Sequence, residues 1–112
     1  MHLFDVQSPS HNLVCGVGDE DRVYCTSANL PHTVSMDVNG VLEVCTGRKC
    51  FGGAAPAVGR SDVLVLAYGQ ADEQGVYRCV SETTGITCTV TRAGAALGKG
   101  FRIDSAGVTP VG

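Results

Sequence analysis

The chain of 112 residues contains no tryptophan, and aromatic residues make up only 5% of it. Large rings supply much of the buried area in small β proteins, so a core built on valine, leucine and isoleucine is thin. The 15 glycines add backbone entropy that folding must overcome. We therefore expect that something besides apolar burial stabilises the protein.

Long apolar segments and an excess of basic residues are also absent. No segment approaches a transmembrane span, and residues 1–5 (MHLFD) lack the basic start and apolar stretch of a signal peptide. The formal net charge of −3 gives no excess of positive charge that would attract nucleic acid or an anionic membrane. We interpret residues 1–112 as a single exported domain whose leader has been removed, with a cytosolic protein as the alternative.

Six cysteines fall into three neighbouring pairs, whose members are separated by nine, four and eight residues. Six cysteines allow about 15 connectivities, and sequential pairing is the leading interpretation. On the chain-entropy model each short loop stabilises the fold by roughly 2–3 kcal/mol. The predicted disulfides are Cys15–Cys25, Cys45–Cys50 and Cys79–Cys88.

A metal site or reduced thiols in the cytosol would be the alternative use of these cysteines. Zinc sites combine closely spaced cysteines with further Cys or His within tetrahedral reach. Only Cys45 and Cys50 approach that spacing, and His2, His11 and His32 are scattered away from them. We therefore predict disulfides in an oxidising compartment, with no metal and no cofactor.

The hydrophobic pattern predicts antiparallel hairpins rather than helices. In one hairpin Cys15 lies opposite Cys25, and in another Cys79 lies opposite Cys88 with Thr83-Thr84 at its tip. One register aligns each cysteine pair directly, as a cross-strand disulfide between non-hydrogen-bonded positions requires. The two segments resemble each other, which is consistent either with a decayed duplication or with any two disulfide-linked hairpins.

Other segments predict further strands. Residues 33–38 alternate between apolar and polar, meet the turn dipeptide Asn39-Gly40 and return through residues 41–44. Residues 63–68 (VLVLAY) form a continuous apolar run whose length favours a buried strand, the best candidate for the core. Residues 101–103 predict a last strand and residues 107–112 a flexible tail.

These patterns define the predicted fold class as all-β and mainly antiparallel. Small disulfide-stapled hairpins would form a sheet, a sandwich or a partly open barrel. Tyr68 and Tyr77 are predicted to be core rings with their hydroxyls at the rim, with partly exposed rings as the alternative.

Motifs for catalysis are missing. Residues 94–100 (GAALGKG) approach a phosphate loop, but only three residues separate the glycines, and Gly100 replaces the hydroxyl that would reach magnesium. The sequence has no G-x-S-x-G elbow and no histidine in the setting of a triad base. Six disulfide-bonded cysteines would leave no thiol nucleophile. We predict that the protein is not an enzyme.

Small stapled β domains commonly act by presenting rigid loops to a partner. A glycine-rich loop over residues 48–60 and the segment 99–102 are the candidate contact regions, with an ordinary solvated surface as the alternative. The candidate partner-contact residues are Arg48, Lys49, Arg60, Lys99 and Arg102.

Four segments carry a family resemblance: residues 4–15 (FDVQSPSHNLVC), 66–69 (LAYG), 79–88 (CVSETTGITC) and 98–101 (GKGF). In this order they resemble a family of small secreted actinobacterial proteins, which typically open with F-x-S-P-S-G-N-I-x-C. The chain departs from that pattern at His11, where the family has glycine, and in a longer spacer after the phenylalanine. The resemblance implies export and structural cysteine pairs but no activity, because the function of the family is uncharacterised.

We therefore expect an exported, non-catalytic interaction module of the cell envelope or medium. Its partner would be a protein or an envelope glycan, and not nucleic acid. The alternatives are an inhibitor of a secreted hydrolase, such as a lysozyme or a protease, and a self-associating subunit of a surface assembly in which strand edges pair.

Overall fold

The computed structural model describes residues 4–10, 12–17, 22–27, 32–46, 64–92, 94, 96–104 and 106–112. These residues form strands and turns, with no helix among them, which confirms the predicted all-β class. The strands are β1 Phe4–Gln7, β2 Leu13–Val17, β3 Val23–Ser27, β4 His32–Met36, β5 Leu42–Thr46, β6 Leu64–Val65, β7 Ala71–Gln74, β8 Tyr77–Glu82, β9 Gly85–Val90, β10 Gly100–Asp104 and β11 Gly107–Val111.

The strands form two sheets that follow the order of the chain. The first sheet has the order β5-β4-β3-β2-β1-β6, and the second has the order β11-β10-β9-β8-β7. Neighbouring strands are antiparallel, except that β6 runs parallel to β1. Each sheet is therefore a five-stranded meander from one part of the chain, and the first sheet gains a sixth, short strand at its edge.

The two sheets share one hydrophobic core. Strand β10 contacts β3, and β11 contacts β4 across the interior. Side chains of β10 alternate between the two faces of the sheet, so Phe101 and Ile103 are completely buried and Arg102 is half-buried on the other face. Complete burial of side chains of this size stabilises by about 1.5–3 kcal/mol each.

Both predicted cysteine registers are confirmed. Cys15 lies opposite Cys25 and Cys79 opposite Cys88, with Cα–Cα distances of 4.1 and 4.0 Å, and each pair is a disulfide. Cys45 is also disulfide-bonded. The predicted pairing of Cys45 with Cys50 involves a residue outside the described part of the chain.

The predicted hairpin around Asn39-Gly40 is present as β4 and β5, with Met36 opposite Leu42. The Asp37 carboxylate accepts hydrogen bonds from the backbone N–H groups of Asn39 (2.9 Å) and Val41 (3.0 Å). Gly40 has φ +78°, a left-handed conformation that favours glycine. The predicted hairpin is therefore present, but its turn spans residues 37–41 rather than Asn39-Gly40 alone.

The prediction that residues 63–68 form a buried core strand is wrong for most of the segment. Leu64 and Val65 are 57% and 42% exposed, and Leu66 is the only buried one among the large residues of the run that the structure describes. The physical reason is position, because β1 is the only pairing partner of β6 among the described strands, and β6 lies at the sheet edge. Tyr68 is 51% exposed, against the prediction of a core ring, whereas Tyr77 is buried as predicted.

The prediction of a flexible tail over residues 107–112 is also wrong. Strand β11 pairs with β10 over five residue pairs, and Val108 packs against the core. Residues 101–103 do return to the sheet as predicted, but β10 is followed by one more strand. Pro110 weakened the strand signal, yet proline is tolerated here because β11 is an edge strand.

Candidate functional site

Four turns meet at one end of the two sheets: those after β1, β6, β8 and β10. They surround a surface depression of about 230 Å³, which we call the loop-end depression. This volume is below the range of about 300–1,000 Å³ typical of pockets for drug-sized ligands. The lining residues are Ser10, Asn12, Leu13, Tyr68, Thr83, Thr84, Gly85 and Asp104.

Tyr68 is presented by a hydrogen-bonded turn. The N–H of Gln70 donates to the Ala67 carbonyl (2.9 Å), and Gly69 has φ +88°, which together define a type II turn with Tyr68 in its second position. The N–H of Gly69 donates to the Ser81 carbonyl (2.6 Å), and the N–H of Ser81 donates to the Gln70 carbonyl (2.9 Å). The turn is therefore fixed to β8 and holds the exposed ring at the rim.

The loop between β1 and β2 is held by a buried hydroxyl. Ser8 is 3% exposed; its N–H donates to the Leu13 carbonyl (2.8 Å), and its Oγ accepts from the Leu13 N–H (3.3 Å). The Ser8 and Ser10 hydroxyls share a hydrogen bond of 3.0 Å, and the Ser10 Oγ accepts from the Asn12 N–H (3.3 Å). This network leaves the Asn12 side chain exposed beside the depression.

Two threonines also line the depression. Thr83 and Thr84 form the exposed turn between β8 and β9, in the predicted register with Glu82 opposite Gly85. Gly85 has φ +142°, and a Cβ atom there would collide with the backbone carbonyl of Ile103. Glycine thus permits the close approach that brings the threonine turn beside β10.

Asp104 supplies the only carboxylate among the described lining residues, and it is occupied by structural contacts. Its Oδ1 accepts from the N–H groups of Ala106 (2.8 Å) and Gly107 (3.0 Å), and its Oδ2 lies 3.9 Å from Arg102 Nε. These contacts hold the turn between β10 and β11. The exposed Tyr68 ring, the hydroxyls and the amide around it can bind a ligand but provide no acid–base pair.

The structure describes two of the five predicted partner-contact residues, so the predicted contact surface stays a prediction. Lys99 is exposed at the start of β10, next to the turn at Gly40, whereas Arg102 is half-buried near Asp104 at the far end of β10. Arg48, Lys49 and Arg60 lie outside the described residues. Sequence reasoning placed Thr83-Thr84 at a hairpin tip but named neither these residues nor Tyr68 as candidate site residues; the glycines after them, Gly69 and Gly85, were the available signal.

A second cluster, inside the core, contains sulfur. The Sγ atoms of Cys15, Cys25 and Cys88 lie within 4.8 Å of one another, a spacing compatible with metal binding. All three residues are in disulfides, and the thiolate is the form of cysteine that binds metals. The cluster is therefore a contact between two disulfides in this structure.

Among the residues that the structure describes, no helix is long and apolar enough to cross a membrane. Comparisons of the chain with protein-family models, with curated proteins and with solved structures found no match. Function is therefore inferred from the chemistry of the loop-end depression.

Proposed function

We propose that the protein is an exported, non-catalytic binding module and that the loop-end depression takes one neutral sugar ring of an envelope glycan. The observation that carries the proposal is the exposed Tyr68 ring, held on a hydrogen-bonded turn beside uncharged polar groups. A sugar ring has an apolar C–H face that stacks on an aromatic face and an equatorial edge of hydroxyls.

The polar groups around Tyr68 match a ligand without net charge. The hydroxyls of Ser10, Thr83 and Thr84 each donate and accept, and the Asn12 amide does both as well. The Asp104 carboxylate accepts two backbone N–H groups on one oxygen and lies near Arg102 on the other, so its charge is compensated locally. A neutral polyhydroxyl compound therefore fits this set better than an ion.

The size of the depression supports a single ring rather than a long ligand in a deep cleft. A volume of about 230 Å³ favours shallow, low-affinity contact with one unit of a polymer. Low single-site affinity is compensated when a polymer presents many copies of the unit to several domains, because avidity rises through effective concentration. An envelope glycan is a repeating polymer of this kind.

The absence of a second carboxylate supports binding without hydrolysis. Glycosidases generally use two carboxyl groups, about 5–9.5 Å apart, on either side of the scissile bond. Among the described residues that line the depression, Asp104 is the only carboxylate. Export is supported by the disulfides, which are compatible with an oxidising compartment.

The test is a titration of the oxidised protein with neutral envelope oligosaccharides, followed by NMR chemical shifts, using two variants. Tyr68→Ala removes the stacking ring, and Leu97→Ala is the matched control because Leu97 is 59% exposed but does not line the depression. We expect wild type and Leu97→Ala to bind alike, and Tyr68→Ala to lose at least about tenfold in affinity, equivalent to 1.4 kcal/mol.

Three outcomes would overturn the proposal: no binding of any neutral oligosaccharide, equal binding by Tyr68→Ala, or shift changes that map away from the loop-end depression. Release of reducing ends during the titration would contradict the non-catalytic part alone. A protein partner captured equally by wild type and Tyr68→Ala would place the functional surface elsewhere.

A further inference from the structure

The two described disulfides face each other across the core. Cys15–Cys25 links β2 to β3 in the first sheet, and Cys79–Cys88 links β8 to β9 in the second sheet. The Sγ atoms of Cys25 and Cys88 are 3.7 Å apart, a van der Waals contact between sulfurs of two separate bonds. Thiol–disulfide exchange proceeds when a thiolate attacks a disulfide sulfur. If the Cys79–Cys88 bond opens at Cys88, the resulting Cys88 thiolate is in contact with a sulfur of the Cys15–Cys25 disulfide.

We propose that Cys79 is an attack site for a low-molecular-weight thiol, and that the contact between Cys25 and Cys88 relays the attack. The relay converts two disulfides within sheets into two disulfides between sheets, Cys25–Cys88 and Cys15–Cys79. The number of disulfides is unchanged, so the thiol acts as a catalyst and no oxidant is consumed.

Exposure selects Cys79 as the point of entry. It is 7% exposed, whereas Cys15 is 1% exposed and Cys25 and Cys88 are fully buried. Cys79 also lies opposite Asp72 on β7, a strand of four residues at the sheet edge, whose only partner among the described strands is β8. Local opening of a short edge strand costs less than global unfolding, which gives a small thiol access.

The exchange follows in three balanced steps. The external thiolate bonds to the Cys79 sulfur, and Cys88 leaves as a thiolate. The Cys88 thiolate then attacks Cys25, forming Cys25–Cys88 and releasing the Cys15 thiolate. The Cys15 thiolate finally attacks Cys79, forming Cys15–Cys79 and releasing the external thiol.

The last step is supported by a small cavity that is partly open to the surface. Cys15 and Cys79 both line this cavity, whose volume is about 10 Å³, the space of about one water molecule. The two residues released or modified in the first two steps therefore border the same space. A disulfide between sheets is also compatible with this architecture, because immunoglobulin domains link their two facing sheets in that way.

Tryptic peptides distinguish the two states without reduction. Trypsin cuts after Arg22, Arg48, Arg78 and Arg92. Peptide 1–22 then contains Cys15, peptide 23–48 contains Cys25, and peptide 79–92 contains both Cys79 and Cys88. Before exchange peptide 79–92 is released alone, with its disulfide internal. After exchange it is linked to peptides 1–22 and 23–48.

Two single variants test the relay. In Cys79→Ser the free Cys88 contacts Cys25, so we expect peptide 79–92 to be linked to 23–48 and Cys15 to be alkylated. In the matched control Cys88→Ser the contacting sulfur is absent, so we expect peptide 1–22 to stay linked to 23–48 and Cys79 to be alkylated. Retention of Cys15–Cys25 in both folded variants would overturn the relay.

Wild-type protein supplies the second test, which does not depend on the folding of a variant. The native protein is incubated with a catalytic amount of a small thiol, quenched in acid and alkylated before digestion. We expect peptide 79–92 to become linked to 23–48 with time. If the thiol forms mixed disulfides at Cys79 and this linkage never appears, the proposal is overturned.

Discussion

The two disulfide-linked hairpins invite comparison because each occupies the same place in its sheet. The pair β2–β3 is central in the meander β1 to β5, and the pair β8–β9 is central in the meander β7 to β11. Sequence separations of 10 and 9 residues, and Cα–Cα distances of 4.1 and 4.0 Å, make the two covalent links nearly equivalent.

The difference lies in what surrounds the links. The second hairpin ends in the threonine turn beside the loop-end depression and contains the more exposed cysteine, Cys79. The sulfurs of the first hairpin are almost fully buried. The same kind of covalent link therefore joins two strands in each sheet, while the second hairpin also ends in the turn that lines the candidate site.

The largest expected effect comes from truncating the core of either sheet. Phe101 in the second sheet and Met36 in the first are both fully buried. We expect Phe101→Ala to lower the free energy of unfolding by about 3–5 kcal/mol and Met36→Ala by about 2–5 kcal/mol, because each leaves a cavity. Chemical denaturation measures both, and a loss below 1 kcal/mol in either variant would contradict the shared core.

Removal of each disulfide tests the equivalence of the hairpins. On the chain-entropy model, the double variants Cys15→Ala/Cys25→Ala and Cys79→Ala/Cys88→Ala each lose about 2–3 kcal/mol and differ by only about 0.1 kcal/mol. Equilibrium unfolding of the two variants measures the difference. A gap above about 1 kcal/mol would show that packing around the sulfurs, rather than loop closure, sets the contribution of each link.

The two tyrosines give a smaller contrast. The buried hydroxyl of Tyr77 donates to the Met36 carbonyl at 3.2 Å and connects the two sheets, whereas Tyr68 is exposed. We expect Tyr77→Phe to cost about 1 kcal/mol of stability, and Tyr68→Phe to change stability by less than about 0.5 kcal/mol. Thermal unfolding of both variants checks this order, and equal losses would contradict the assigned environments.

A small effect is also expected for two surface ion pairs. Glu43 lies 3.7 Å from Arg22 in the first sheet, and Glu73 lies 3.5 Å from Arg78 in the second. Both carboxylates are mostly exposed, so Glu43→Gln and Glu73→Gln should each change stability by less than about 1 kcal/mol. A larger loss, measured at low and high salt, would show that one sheet depends on surface charge.

The sequence predicted the hairpins well because their determinants are local. A cysteine pair fixes one register, and Asn39-Gly40 fixes a turn, without knowledge of the other sheet. The segment 63–68 was misjudged because an apolar run does not reveal whether its strand is central or at an edge. That depends on the parallel pairing of β6 with β1, which are almost 60 residues apart in sequence.

The candidate site could not be predicted from local sequence patterns, because it too depends on contacts between segments that are distant in the sequence. Its described lining residues come from four turns, at residues 10 and 12–13, 68, 83–85 and 104, which meet only after both sheets have formed. Lys99 and Arg102, close in sequence and alike in charge, have different surroundings: Lys99 lies just before β10 next to the turn at Gly40, and Arg102 is half-buried within β10 near Asp104.

The most direct test of the account is disulfide mapping of the oxidised protein, alkylated before unreduced tryptic digestion. We expect peptide 79–92 to carry an internal disulfide and peptide 1–22 to be linked to 23–48, as the sheet-by-sheet pairing requires. Alkylation of all six cysteines, or recovery of the folded protein with a metal bound to thiolates, would contradict it.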